Sequence, residues 1–196
     1  PGDPAVKAAL EESLRINREW FYPREPGRSC FHRNPDGSPV TDPRSAGLSY
    51  GHNVEFGWLM VEAERALGLP PSWDHIRAHV DHALAHGWDA ARGGLHHRGT
   101  GDAPADDLKK VWWVQAEMMA ALTELLVHRR EPALEAPLLQ LTGFVDRHMA
   151  DPRDGVWVDS VNADGSPLRP DKAHTWKANY HDVRAIAKFV EAFAPR

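Results

Sequence analysis

The sequence predicts an all-α protein in which about six helices pair into an (α/α) toroid, with short β-hairpins in the connecting loops. Three observations carry this. Helical periodicity recurs in six segments; the segments alternate in character; and a long, turn-rich loop precedes every second one. Residues 4–20, "PAVKAALEESLRINREW", 73–88, "WDHIRAHVDHALAHGW", and roughly 132–149 each have an apolar stripe and a charged face, as expected of helices with one side in water. Residues 51–68, "GHNVEFGWLMVEAERALG", and 108–130, "LKKVWWVQAEMMAALTELLVHRR", are apolar over most of their circumference, which predicts burial. A sixth helix begins near 177. The inner helices therefore start near 51, 109 and 177, a spacing of about 60 residues, and read as three repeats of an outer–inner pair that stack side by side into a curve.

Local signals justify each boundary. Pro23 and Pro26 end the first helix, and the stretch "HRNPDGSPVTDPRSAG" is a loop or short hairpin. Gly68 and Pro70 stop the second helix, and Ser72 is placed to cap the third. "DAARGGLHHRGTGDAPADD" is a second polar loop. "DPRDGVWVDSVNADGSPL" alternates apolar and polar residues between turn signals and reads as a hairpin. No low-complexity linker divides the chain, so residues 1–196 form a single domain.

Composition narrows the function. A net charge of −5 with no basic run argues against nucleic acid or an anionic membrane as partner, and no apolar stretch approaches the length of a membrane span. Cys30 is the only cysteine, so no internal disulfide forms and a cytoplasmic location is expected. The chain opens on Pro1 with no signal peptide, which suggests an excised or processed piece.

Each inner helix opens with residues of chemical use: "YGHNVE", "KKVWWVQAE" and "HTWKANYHDVR". Parallel packing would turn His52, Glu55, Lys110, Trp112, Trp113, Trp176, Lys177, Tyr180, His181 and Arg184 toward one cavity. His52 and Glu55 share a helix face, and a carboxylate beside an imidazole raises its pKa for acid–base work; a plain capping contact is the competing reading. Trp112 and Trp113 point about 100° apart, so one at most faces a lumen while the other packs in the core, or both pack. His181 is either a catalyst or a buried, hydrogen-bonded histidine. Arg184 either holds a polar ligand or pairs with Asp182 or Glu191. Twelve histidines raise the question of a metal, but no HExxH or paired CxxC is present, and "LHHRG" has no helical partner nearby, so no metal and no cofactor are expected.

In order and spacing, "SYGHNVEFGWLM", "KVWWVQAE" and "WKANYHDVR" resemble three signatures of the N-acylglucosamine 2-epimerase family, most of all its cellobiose 2-epimerase-like branch. The resemblance implies an (α/α)6 barrel of which this chain matches the C-terminal half. It implies His52 and His181 as acid–base catalysts, Glu55 supporting the first, Trp176 and one of Trp112 or Trp113 as sugar contacts with Tyr180, and Arg184 as a further contact. It also implies a small sugar as substrate and carbon-2 epimerisation through an enediolate. Aldose–ketose isomerisation and a non-catalytic carbohydrate-binding or assembly module are the alternatives. Three helix pairs cannot close a six-pair ring, so the open side is expected to meet a missing N-terminal half or a second copy, and the isolated chain is expected to be nearly inactive. Asn179 stands where the family pattern has proline, a change that bears on the placement of His181.

Overall fold

The computed structural model describes residues 2–22, 28–29, 32–42, 45 and 47–194; Cys30 and the prolines that follow the first helix lie outside them. The described residues form six α-helices: α1 (Pro4–Ile16), α2 (Tyr50–Ala66), α3 (Trp73–His86), α4 (Trp112–His128), α5 (Pro132–His148) and α6 (Tyr180–Phe193). Asp3 caps α1 by accepting from the Ala5 amide at 2.8 Å, and Pro4 takes the first helical position, where no amide is needed. A π-helical turn, Asn17–Phe21, prolongs α1 to the length expected. Gly68 ends α2 in the left-handed conformation, φ +69°, that side-chain-bearing residues avoid. Ser72 sits at the N-cap position of α3 without capping it; its hydroxyl and amide instead reach the buried Glu64 carboxylate, each at 2.5 Å.

Helix α4 is the axis of the molecule. Nearly all its residues are buried, and it packs against α2, α3, α5 and α6. Val114, Met118 and Leu122 meet a core that includes Val54, Ile76, Val80, Leu141 and Phe144. The outer–inner alternation thus arises because the helix with no wet face is the one every neighbour covers. The two ends of the stack differ. Helix α1 buries only Leu14, and α6 leaves Tyr180, Val183, Ile186 and Val190 exposed along one face.

Short strands occupy the loops, but most pair over long range rather than as local hairpins. Strand β1 (Gly47–Ser49) pairs antiparallel with β2 (Arg98–Thr100), in the register Leu48↔Gly99. Strand β3 (Lys110–Val111) pairs with β4 (Ser160–Val161), and β4 turns back on β5 (Pro167–Arg169) as an expected hairpin; the antiparallel bridge Arg33↔Pro39 closes another within the loop after the first helix. Because β1 runs directly into α2 and β3 into α4, the ladders tie the starts of these two inner helices to the loop of the following repeat. Sequence-local reasoning sees turns but not such partners.

The repeat has a second signature. Asp89 and Asp151 both cap their own turns, accepting from the amides of Ala91 and Arg153 through the side chain and of Gly93 and Gly155 through the carbonyl. Each also takes a lysine 21 residues on: Lys110 at 2.8 Å and Lys172 at 2.7 Å. Lys110, read from sequence as facing a cavity, is instead fully buried. It donates to Asp89 and to the carbonyls of Gly93 and Ala163, with the Phe144 ring 4.2 Å away. It locks the loops rather than serving a ligand.

Candidate active site

The first turns of α2, α4 and α6 come together at one end of the stack. Ser49 opens α2 by accepting from the His52 amide at 3.4 Å, which sets His52 in the first turn. Gly51 makes the approach of α4 possible, since a Cβ there would lie 2.5 Å from the Trp113 ring. The His52 imidazole consequently rests 4.5 Å, centroid to centroid, from Trp113. The His181 ring lies 5.9 Å from the same indole, so two imidazoles 129 residues apart in sequence meet over one aromatic side chain.

Glu117 organises the rest. Its carboxylate, 1 % exposed, takes three donors: Nδ1 of His181 at 2.5 Å, a guanidinium nitrogen of Arg184 at 2.7 Å and the Trp58 indole at 2.8 Å. A carboxylate that can only accept makes Nδ1 of His181 the protonated nitrogen, which leaves the lone pair on Nε2. Arg184 also reaches Glu55 at 3.2 Å and covers the Trp58 ring at 4.6 Å. Its partners are therefore Glu55 and Glu117, on neighbouring helices, rather than Asp182 or Glu191 on its own. Tyr180 lies with its ring 3.9 Å from that of His181 and is 56 % exposed.

Electrostatics corrects one expectation. Glu55 was expected to raise the His52 pKa, but its carboxylate is engaged with Arg184, and His52 is pushed down by burial, then by the nearby His97, Arg98 and His181. Burial and the neighbouring Glu117 push the Glu55 carboxyl up. Three more side chains land elsewhere than the spacing implied. Trp112, 5 % exposed, is the packed member of the tryptophan pair: its ring lies edge-on to His174 and His181, with Nζ of Lys177 5.1 Å away. Lys177 is buried there, 1 % exposed, beneath the surface rather than on it. Trp176 is 84 % exposed, ahead of α6, and makes no wall in this chain alone.

Sequence reasoning passed over three residues. Glu117 had a signal: a carboxylate amid "WWVQAEMMAAL" must be paired if that helix is buried. Trp58 follows from it as an indole donor. His97 was dismissed as a loop residue without a helical neighbour, yet its ring stands 6.2 Å from Trp113, held by Asp107 at 2.8 Å. One heptad below, Glu62, Glu124 and Lys188 repeat the pattern of Glu55, Glu117 and His181. Lys188 bonds both Glu62 and Glu124, and Arg65 reaches Glu124 at 2.7 Å. Charged side chains seven residues apart on three parallel helices therefore form two stacked layers.

The sequence profile of the N-acylglucosamine 2-epimerase (GlcNAc 2-epimerase) family matches residues 24–185. The chain belongs to this family. Among epimerase-family relatives, a cellobiose 2-epimerase from Bacteroides fragilis is 32 % identical over 143 residues, covering 70 % of this chain and 36 % of its own. A D-mannose isomerase from Marinomonas mediterranea is 28 % identical over 144 residues, covering 72 % and 36 %. The solved cellobiose 2-epimerase of Spirochaeta thermophila superposes with a TM-score of 0.80 at 29 % identity, over 97 % of this chain and 47 % of that one. This chain thus spans between about a third and a half of the length of the family members it matches. No described helix is long and apolar enough to cross a membrane.

Proposed function

We propose that this chain carries the acid–base part of a sugar 2-epimerase site, corresponding to the C-terminal half of the family's barrel. The observation that carries the reading is the meeting of His52 and His181 at Trp113, with His181 held in one tautomer by Glu117. A C–H bond at carbon 2 of a sugar is acidic only while carbon 1 is an open-chain aldehyde. Nε2 of His181 removes that proton, the electron pair moves into a carbon 1–carbon 2 double bond, and an enediolate forms. A protonated His52 delivers a proton to the opposite face of carbon 2, which gives the epimer and leaves His181 protonated and His52 neutral; proton exchange with solvent water resets both imidazoles and brings solvent hydrogen to carbon 2. Burial lowers the His52 pKa, so its imidazolium gives up that proton readily. Arg184 and Tyr180 border the same space and offer donors to developing negative charge. Trp113 supplies the aromatic face on which an apolar sugar face stacks, with Trp176 a further contact once the open side is covered.

The exposed face of α6 is the place where a complementary half or a second copy would seat, and the cytoplasm is the proposed location. The substrate is a glucose/mannose or cellobiose-type sugar. The D-mannose isomerase relative keeps a second reading in play: proton return to carbon 1 instead of carbon 2 gives a ketose.

Incubation with cellobiose or mannose in heavy water tests both, using the 196-residue chain and the protein of its native reading frame. Deuterium at carbon 2 of the epimeric aldose is the expected result for the latter. Fructose as main product from mannose replaces epimerisation with isomerisation. Sugar binding without exchange leaves a carbohydrate-binding module.

A further inference from the structure

Helix α3, which contributes nothing to the candidate site, carries four histidines on one face. His75, His79, His82 and His86 recur at spacings of four, three and four. The first two are sealed under Tyr22 and Phe56, with His79 bonded to Ser29 at 2.7 Å and to the His75 carbonyl at 2.8 Å. The last two are placed differently. Their rings lie 4.7 Å apart at the C-terminal end of the helix, where the loop after β2 brings Asp102 against them. One nitrogen from each histidine and one Asp102 oxygen all lie within 4.8 Å of one another.

We propose that His82, His86 and Asp102 form a binding site for a divalent transition-metal ion of the zinc type, independent of the sugar chemistry. Nε2 of His82 lies 3.2 Å from both Oδ1 of Asp102 and the Gly101 carbonyl oxygen. Three electron-pair donors thus converge with at most one N–H to share among them. The edge of a tetrahedron with bonds of about 2.0 Å is roughly 3.3 Å, so the Asp102–His82 pair already has ligand spacing. His86, with its ligand atom within 4.8 Å of the other two, needs an adjustment of up to about 1.5 Å to reach that edge, and as a half-buried side chain at the helix end it has room for one. Without an ion, the Asp102 and Gly101 oxygens hold a proton on Nε2 of His82; an ion arriving there replaces that proton, which moves to the unpartnered Nδ1 or to solvent. Two imidazoles and a carboxylate, with the Gly101 carbonyl or water completing the set, suit zinc, nickel or cobalt better than calcium or magnesium. Arg28 reaches the same Asp102 oxygen at 3.3 Å and is the group the ion displaces.

Among the described residues, the other cluster of this kind, Glu55, Glu117 and His181, already holds a cation, the Arg184 guanidinium, which donates to both carboxylates. The α3 site has a mechanical consequence. The His86 carbonyl accepts from the Tyr50 hydroxyl and the Ala105 amide, and the loop beyond Ala105 holds His97 through Asp107. An ion there clips the end of α3 to the loop that places His97.

The test is zinc titration of the tag-free chain against a chromogenic chelator. Binding of one equivalent is expected, weakened at least ~10-fold by His86→Gln and by Asp102→Asn, and kept by His181→Gln. Arg28→Gln is expected to bind zinc at least as tightly as wild type. Zinc should raise the melting temperature of wild type but not of Asp102→Asn. Circular dichroism checks that the variants fold; His86 is at the surface end of its helix and tolerates glutamine. Absence of stoichiometric binding, or His86→Gln and Asp102→Asn binding like wild type, overturns the proposal, as does loss of the site in His181→Gln.

Discussion

At the residue scale, Glu117 is the side chain on which most depends. Removing it leaves a guanidinium, an indole N–H and an imidazole N–H facing a void, so Glu117→Ala should cost about 3–5 kcal/mol in urea unfolding. Glu117→Gln keeps the volume but turns two N–H groups toward donors, and should lower carbon-2 exchange by roughly 10²-fold or more through loss of His181 orientation. His52 sets a pH dependence. It is the base for the reverse direction, from the epimer; its pKa is lowered, and a base works when neutral, so exchange starting from the epimer should rise with pH to a plateau whose midpoint lies below the ordinary 6.5. A midpoint above that value removes His52 as the titrating base. Asn179 offers a gain. It is the N-cap of α6 with φ −81°, at the edge of the range proline imposes, so the departure from the family pattern leaves the backbone close to where proline would put it. Asn179→Pro should stabilise by about 0.4–1 kcal/mol in thermal unfolding, with His181 undisturbed.

At the scale of elements, α3 couples stability to acid. Burial drives His75 down to about 3 and His79 to about 4, while both titrate near 6.5 in the unfolded chain. The unfolded state binds the extra protons, so stability is fully present above about pH 6.5 and is lost as pH falls toward 4 and 3. His79 and Arg18 face His75 with like charge and act in the same direction. Urea midpoints measured from pH 7 to 4 should fall steadily, and less so in His75→Gln. The helices themselves were legible in sequence because burial on all sides leaves a compositional trace: "MMAALTELL" has no wet face to read. The starts of α4 and α6 were read three residues early. Lys110 and Val111 are strand, and Trp176 to Asn179 are the approach to a helix rather than its first turn, which is why such poor helix formers are tolerated there. Which of Trp112 and Trp113 faces inward was illegible, since adjacent residues differ by rotation about an axis the sequence does not orient. The β1–β2 and β3–β4 partners were hidden for a related reason: two or three residues carry no register.

At the scale of the whole molecule, three starts of inner helices, two antiparallel ladders and two layers of charge all mark the same periodic unit. The half-ring leaves one helix face apolar and exposed, and Val183→Lys with Val190→Glu should reduce self-association or pairing in sedimentation while leaving circular dichroism unchanged; an undiminished association would assign the contact elsewhere. The paired buckles Asp89–Lys110 and Asp151–Lys172, 62 residues apart, carry this further. Each closes the loop ahead of one inner helix with its own fastener, and Lys110 also bonds the Ala163 carbonyl of the following repeat, so neighbours are joined as well as closed. Such a molecule is assembled in tiles. A tile cut at matching fasteners can be doubled in the gene, and the arc would lengthen by one outer and one inner helix without any residue of the existing tiles having to change.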